Sequence, residues 1–224
     1  MKKLYGWNIV LILLAFVTAG VFLTLAPDRI PVHYDIAGNI DRWGSKYEYL
    51  VMPVVTALMG VFMMLMTAHE EKKGRDSNAR TVAVVGIVVL LQFNLMWMIF
   101  MGKIMDPDTM QERLPALGGR AILILLMASL IPVGNLMPKV RRNGALGLRT
   151  KWSMADDVCW QKSQRLGGWL MVGCGIAGVA LVSLLPDRWI GAAVYIPLAL
   201  MLVGSVLGSY RIWKKEQTRA SVEE

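Results

Sequence analysis

Hydrophobic residues occur in six long blocks that are separated by short polar stretches. Each block has about 20 mostly apolar residues, which is the length a helix needs to cross a hydrocarbon core of about 30 Å. No block carries a charged residue away from its ends. The pattern therefore predicts an all-α integral membrane protein with six transmembrane helices. The six blocks are 7–26, 49–68, 82–101, 120–137, 167–185 and 190–210.

The distribution of Lys and Arg predicts the orientation of these helices. Of the 24 Lys and Arg residues, 17 lie before the first block, in 69–81, in 138–166 and after 210, and seven lie in the other three connections. Cytoplasmic loops carry the excess of positive charge, so both termini are expected in the cytoplasm. The apolar run from Ile9 to Ala26 is longer than the core of a secretory signal, which favours a retained first helix.

Composition narrows the function classes further. Hydrophobic residues make up 55% of the chain and charged residues 18%, against about a quarter charged in soluble domains. The charged residues that give the net charge of +8 lie in short stretches between and around the apolar blocks, so a direct nucleic-acid partner is not expected. Two cysteines and two histidines support neither a disulfide framework nor a zinc site, and we expect no metal and no cofactor.

The order of helices and loops suggests four segments. The third contains the longest basic connection, and the last is a short cytoplasmic tail. They are 1–68 with the loop 27–48, 69–137, 138–210 and 211–224.

The loop 27–48, on the predicted outer side, is rich in Gly, Pro and polar residues. The residue before Pro31 avoids helical backbone and its β-branched neighbours prefer strands, whereas Gly38-Asn39 favours a tight turn. A short extracellular hairpin on the membrane surface is predicted, with Trp43 and Tyr47 as interfacial anchors.

Chemistry in this loop would have to use His33, Asp35 and Asp41. On an extended segment, His33 and Asp35 point to the same face. A zinc site needs a further ligand and a hydrolase needs a nucleophile, and the outer side offers neither. Structural or peptide-contacting roles are favoured, no catalytic residue is assigned, and a membrane-embedded hydrolase using these three residues remains an alternative.

The loop from 138 to 166 is strongly basic and predicted to be cytoplasmic. Its cations suit anionic lipid at the inner leaflet. Ser153-x-x-Asp156 has the spacing of a capping box, which predicts a short interfacial helix from near Met154 through Trp160 toward Arg165.

The blocks contain few polar residues. Gln92 and Asn94 lie near the middle of the third block, and no ionisable residue lies at depth, which disfavours proton- or ion-coupled transport. Hydrogen bonding between helices is the favoured use of both amides, and a small-molecule or ion transporter or channel remains an alternative. Gly204-x-x-x-Gly208 is compatible with packing inside one bundle and with a homodimer.

Two motifs give the chain a resemblance to a known family. The outer loop reads Ile-Pro-x-His-Tyr-x-x-x-Gly-x-x-Asp-x-Trp-Gly-Ser-Lys from Ile30. The inner loop reads Gly-Asn-x-Met-Pro-Lys-x-x-x-Asn-x-x-x-Gly-x-Arg-Thr-x-Trp-Ser from Gly134, followed by Trp160 and Arg165. Both resemble the SdpI family of bacterial membrane proteins, the first motif through its N-terminal domain of unknown function. Lys151 stands in place of the family's usual Pro, and Ser163-Gln164 in place of its usual Thr-His.

The resemblance implies a multi-pass protein of the bacterial cytoplasmic membrane that is not an enzyme. It implies resistance to a secreted toxic peptide, the sporulation-delaying toxin, and signalling in which the toxin-engaged protein holds a cytosolic transcriptional repressor at the membrane. The matching residues that are expected to face the peptide are Pro31, His33, Asp35, Gly38, Asp41, Trp43 and Lys46. The inner signature consists of Asn135, Pro138, Asn143, Gly147, Arg149, Thr150, Trp152, Trp160 and Arg165.

The predicted topology is tested by reporter fusions. A reporter that works only in the cytoplasm should be active after Lys73, Lys151 or Glu224, because these positions lie on the basic side. An external reporter should be active after Asn39, Asp108 or Asp187. Cytoplasmic activity at any of the latter three sites would overturn the six-helix topology.

Overall fold

The computed structural model describes residues 1–34, 40–105, 116–143 and 146–223. Within these ranges the chain forms six α-helices, one two-stranded antiparallel sheet and three short 3₁₀ turns. The strands are β1 (Arg29–Tyr34) and β2 (Ile40–Ser45), and the turns are Lys46–Leu50, Met137–Lys139 and Asp187–Trp189. The helices are α1 (Lys2–Leu25), α2 (Val51–Lys72), α3 (Asp76–Ile104), α4 (Ala116–Leu136), α5 (Asp157–Leu184) and α6 (Ile190–Glu223).

All six helices are long and apolar enough to cross a membrane. Each predicted block coincides with one of them, so the prediction of six helices of membrane-spanning length is confirmed. The strand pairing of the predicted hairpin is present as the antiparallel pair β1–β2, and its extracellular position stays a prediction. Its predicted Gly38-Asn39 turn lies outside the described residues, as do Asp35 and Asp108.

The chain divides into two compact units, which are described separately. Unit 1 contains residues 1–69 and 83–125, and unit 2 contains residues 70–82 and 126–224.

Unit 1 has an aromatic core beneath the hairpin. The rings of Phe22, Tyr49 and Trp97 contact one another in pairs, with centroids 5.3 to 5.9 Å apart. They come from α1, from the turn before α2 and from α3, and Ile30 of β1 is buried in the same cluster. Aromatic packing of this kind stabilises beyond the area that it buries. The hairpin is therefore packed onto α1, α3 and the turn before α2.

Hydrogen bonds join α1 to α3 within unit 1. The Asn94 amide donates to the Leu11 carbonyl at 3.1 Å, and the Trp97 indole donates to the Thr18 hydroxyl at 3.2 Å. The predicted interhelical use of Asn94 is confirmed. The Gln92 amide instead lies 3.9 Å from the sulfur of Met96 on its own helix.

Small residues bring the helices of unit 2 close together. A Cβ at Gly134 of α4 would lie 2.8 Å from the Gly168 carbonyl oxygen of α5, so only glycine permits this crossing. Gly204 and Gly208 of α6 lie against Leu170 and Leu166 of α5. Packing inside one bundle, one of the two uses predicted for Gly204-x-x-x-Gly208, is confirmed.

The predicted interfacial helix before α5 is wrong. The segment 151–154 forms a turn, and the helix begins at Asp157 and continues without a break to Leu184. The Asp156 carboxylate caps this helix by accepting the Cys159 N–H at 2.7 Å. Ser153 does not cap, because its hydroxyl donates to the carbonyls of Leu148 and Thr150. Trp160 and Arg165 therefore belong to the first turns of α5.

The capping hydrogen bond lowers the pKa of Asp156. The hydrogen bond from the Cys159 N–H is the largest cause that holds the pKa of Asp156 below its ordinary value of 3.8. A carboxylate whose pKa is lower in the folded state stabilises the fold above its ordinary pKa. This contribution is lost as the pH falls below 3.8 and through the folded-state pKa.

We expect Asp156→Ala to lower the free energy of unfolding by about 1 kcal/mol, because the first turn of α5 loses its cap. Asp156→Asn should retain most of the stability, since asparagine caps equally well, but should remove the part of the acid dependence that Asp156 contributes. Reversible unfolding in mixed micelles between pH 3 and 7 measures both effects. Equal stability of the alanine variant and the wild type would show that Asp156 is not the cap.

Candidate functional site

Two loop segments carry most of the predicted site residues, and each belongs to one unit. The others, Asn135, Trp160 and Arg165, lie in α4 and α5. We call residues 27–48 the hairpin loop and residues 138–156 the signature loop. The hairpin loop lies in unit 1 and the signature loop in unit 2.

The base of the hairpin is fixed by Lys46 and Tyr49. The Lys46 ammonium, whose side chain is 14% exposed, contacts the Asp28 carboxylate at 3.0 Å and donates to the Ala26 carbonyl at the end of α1 at 3.2 Å. A cation there satisfies the end of the helix and its dipole. The Tyr49 hydroxyl donates to the Pro31 carbonyl at 2.8 Å. Lys46 and Pro31 thus have structural contacts.

Three of the predicted peptide-facing side chains are exposed. Nδ1 of His33 lies 2.7 Å from a carboxylate oxygen of Asp41, although both side chains face solvent. Trp43 is 41% exposed. We call His33, Asp41 and Trp43 the exposed trio. His33 pairs with Asp41 across the strands, whereas Asp35, its predicted same-face neighbour, and Gly38 lie outside the described residues.

A cavity of about 280 Å³ lies beside the hairpin, at the start of α2. An Arg42–Glu48 ion pair at 3.0 Å forms its polar wall, and this acidic side chain also accepts the Ser45 N–H. The other lining residues are Val32, Tyr49, Val51 and Met52. Val51 and Met52 are also exposed to the surroundings. The cavity thus offers one charged and one apolar wall.

The main chain of the signature loop is held by two buried side chains of α5. The Gln164 amide accepts the Leu148 N–H at 2.9 Å and donates to the Leu148 carbonyl at 3.0 Å, as a neighbouring strand would. The Trp160 indole donates to the Val140 carbonyl at 2.7 Å. Gly147 has a φ of +103°, a conformation that favours glycine, and packs against both side chains.

A second set of contacts joins the loop to α6. The hydroxyls of Thr150 and Ser209 lie 2.9 Å apart, and Trp152 packs edge-on against Tyr210 with centroids 5.2 Å apart. The Lys151 ammonium lies 5.4 Å from the Trp152 ring, within range of a cation–π contact. The loop is therefore attached to α5 and α6 together.

A buried polar cluster holds the start of the loop. Asn78 of α3 accepts the Arg141 N–H at 2.8 Å and donates to the buried Glu70 carboxylate at 3.1 Å. Asn143, also buried, accepts the Leu146 N–H at 2.7 Å. Each of these side chains gives the irregular backbone a partner that regular structure would otherwise supply.

The remaining inner-signature residues are exposed. Arg149 and Arg165 face the surroundings, and within the described ranges no hydrogen bond or ion pair involves either guanidinium. Asn135 on α4 and Pro138 in the following turn are exposed as well. Arg149 is thus a free cation on a loop whose backbone is fixed.

Sequence reasoning missed several residues that build these sites. The hairpin is shaped by Arg42, Glu48 and Tyr49. Their position within or directly after the outer motif was the only sequence feature that could have identified them. Gln164 and Ser209 were missed because their partners are main-chain or distant groups. Among the residues that the structure describes, no three His, Cys, Asp or Glu side chains come together as metal ligands.

Comparison with known proteins matches both segments. Residues 10–57 match the model of a domain of unknown function, DUF1648, and residues 139–210 match the SdpI/YfhL protein family. The chain is 23% identical over 208 residues to the immunity protein SdpI of Bacillus subtilis (strain 168). The aligned residues make up 93% of this chain and 95% of that relative. No solved structure matches.

Proposed function

We propose that this chain, whose resemblance to the SdpI family is confirmed by two family models and a full-length relative, is a membrane immunity protein against a secreted toxic peptide. The similarity to an immunity protein over 93% of the chain carries the proposal. In this proposal the protein lies in the bacterial cytoplasmic membrane with both termini inside, as the charge distribution predicts.

The exposed trio supports a peptide-binding role for the hairpin. A surface that binds a peptide needs accessible polar and aromatic groups on a rigid support. His33, Asp41 and Trp43 are accessible, and the hairpin beneath them is fixed through Lys46 and Tyr49. The peptide would therefore meet preorganised groups at the membrane surface.

The two alternative functions find less support. The His33–Asp41 pair has the geometry of an acid–base pair, but the relative is an immunity protein, which favours a non-catalytic role. For transport, the amide nitrogen of Asn94 donates to the Leu11 carbonyl of α1, which favours a role in helix packing.

The signature loop supports a second step, in which a cytosolic regulator docks. Because the loop is bonded to both α5 and α6, a shift of one helix against the other would change it. Coupling of this kind requires two states that differ in affinity for the regulator. Arg149 would be the contact for a repressor, or else for anionic lipid.

Homodimerisation through Gly204 and Gly208 is no part of the proposal, because Leu170 and Leu166 of α5 pack against these two glycines.

Alanine at Asp35 and Asp41 together should abolish protection against the toxin, since the hairpin loses two acidic groups and His33 loses its partner. Survival of a sensitive strain that expresses the variant measures the effect, with protein level as the check on folding. Asp28→Ala is the matched control, because the Asp28 side chain is 97% exposed and the Lys46 ammonium keeps its hydrogen bond to the Ala26 carbonyl. Full protection by the double variant would show that Asp35 and Asp41 are not needed for protection and would contradict their proposed role.

Arg149→Ala should leave resistance largely intact but remove toxin-dependent recruitment of a soluble protein to the membrane. Crosslinking from position 149, with and without toxin, measures the docking directly. The matched control is Arg211→Ala, also an exposed cation of unit 2 but outside the inner signature, which should keep recruitment. Only lipid adducts from position 149 in both conditions would leave the loop as a membrane anchor.

A further inference from the structure

The hairpin has one covered edge and one open edge. In an antiparallel pair, opposing residues alternate between hydrogen-bonded and non-hydrogen-bonded positions, and the latter direct their N–H and C=O outward. Pro31 opposes Trp43, and Arg29 opposes Ser45. The direction of the N–H and C=O groups of these four residues decides which edge can accept a further strand.

The contacts at the base of the hairpin set this alternation. The Lys46 N–H donates to the Asp28 carbonyl, which makes that pair hydrogen-bonded. The Ser45 N–H points away from β1, because it donates to the Glu48 carboxylate. The next outward position along β2 is Trp43. The outward direction of the Pro31 carbonyl, which accepts the Tyr49 hydroxyl, agrees with this assignment.

The two edges differ in availability. On β1, Pro31 has no N–H and its carbonyl is bonded to Tyr49, so this edge is closed at the position opposite Trp43. On β2, the outward N–H and C=O of Trp43 face the open edge. In the part of the chain that the structure describes, no turn, loop or side-chain group pairs with them. A two-stranded sheet with one such edge is a template for strand addition.

We propose that the open edge of β2 binds an extended segment of the toxic peptide as a third strand, through the main-chain N–H and C=O of Trp43. This inference rests on the proposed immunity function and assigns its peptide site. Main-chain pairing supplies affinity in this mode of recognition, and pockets beside the strand supply specificity.

The neighbouring surface indicates what kind of segment would fit. Side chains of an added strand alternate between the two faces of the sheet. On one face they would lie beside Arg42, which lines the cavity with one charged and one apolar wall. Around the edge itself stand the charged Asp41 and the aromatic Trp43. The surface therefore suits an extended amphipathic segment at the membrane surface better than a lipid, which has no alternating donors and acceptors.

Two substitutions at one position separate the main chain from the side chain. Trp43→Pro and Trp43→Val both remove the indole, but only proline removes the outward N–H. Proline is tolerated at an open strand edge, so the hairpin should persist. We expect Trp43→Pro to bind the synthetic sporulation-delaying toxin about three- to tenfold more weakly than Trp43→Val, as the loss of one hydrogen bond implies. Binding is measured on the full chain in nanodiscs, and protection in a sensitive strain.

A second measurement does not depend on a variant. Toxin with ¹³C-labelled carbonyls, bound to the wild-type protein in nanodiscs, should show the labelled amide band at the position of a β-sheet. A helical or disordered band for the bound toxin would overturn the proposal, even if Trp43→Pro fails to accumulate.

The outcomes separate this site from the function on which it rests. Equal binding by the two variants, with protection by the wild type intact, would overturn edge pairing and leave the immunity function standing. Disulfide crosslinking of Trp43→Cys between two copies, in the absence of toxin, would assign the edge to self-association and also overturn the proposal. Failure of the wild type to bind the toxin or to protect would overturn both.

Discussion

The main-chain groups of irregular segments need hydrogen-bond partners, and this requirement governs both loops. A helix satisfies its own N–H and C=O groups, whereas non-helical backbone packed against membrane helices must be satisfied by side chains. Gln164 does so for Leu148, Trp160 for Val140 and Asn78 for Arg141. The described residues of the signature loop therefore have a defined backbone without regular structure.

The same requirement is met differently in the hairpin. Its strands pair with each other, the Tyr49 hydroxyl closes one edge and Glu48 takes the Ser45 N–H. Trp43 remains as the outward main-chain position on the open edge. The hydrogen bonds that make the hairpin rigid thus leave the main-chain groups of Trp43 unpaired among the described residues, which is why we propose that the peptide binds at Trp43.

Parts of this structure follow from the sequence because they depend on composition over many residues. Six helices were predictable from length and hydropathy, and the hairpin from Pro31 and the β-branched residues around it. The start of α5 was not, because Ser153 and Asp156 both have side chains that cap helices. Only the fold shows that the Ser153 hydroxyl is used by Leu148 and Thr150.

The candidate sites were predictable in part. The motif identified His33 and Asp41, yet spacing favoured Asp35 as the neighbour of His33, since a same-face rule does not see cross-strand contacts. Gln164, which was not among the predicted site residues, forms the pair of hydrogen bonds that holds Leu148. Long-range partners of this kind depend on how helices pack, and local sequence does not record them.

The most direct test of the account is photo-crosslinking in living cells from position 33, with position 189 as the control. Trp189 is also exposed and lies in the other described helix connection on the predicted outer side. The account predicts a covalent adduct between the toxin and position 33 and none at position 189. Protection that persists with no adduct at position 33, or with an equal adduct at position 189, would contradict the assignment of the hairpin as the peptide-binding element.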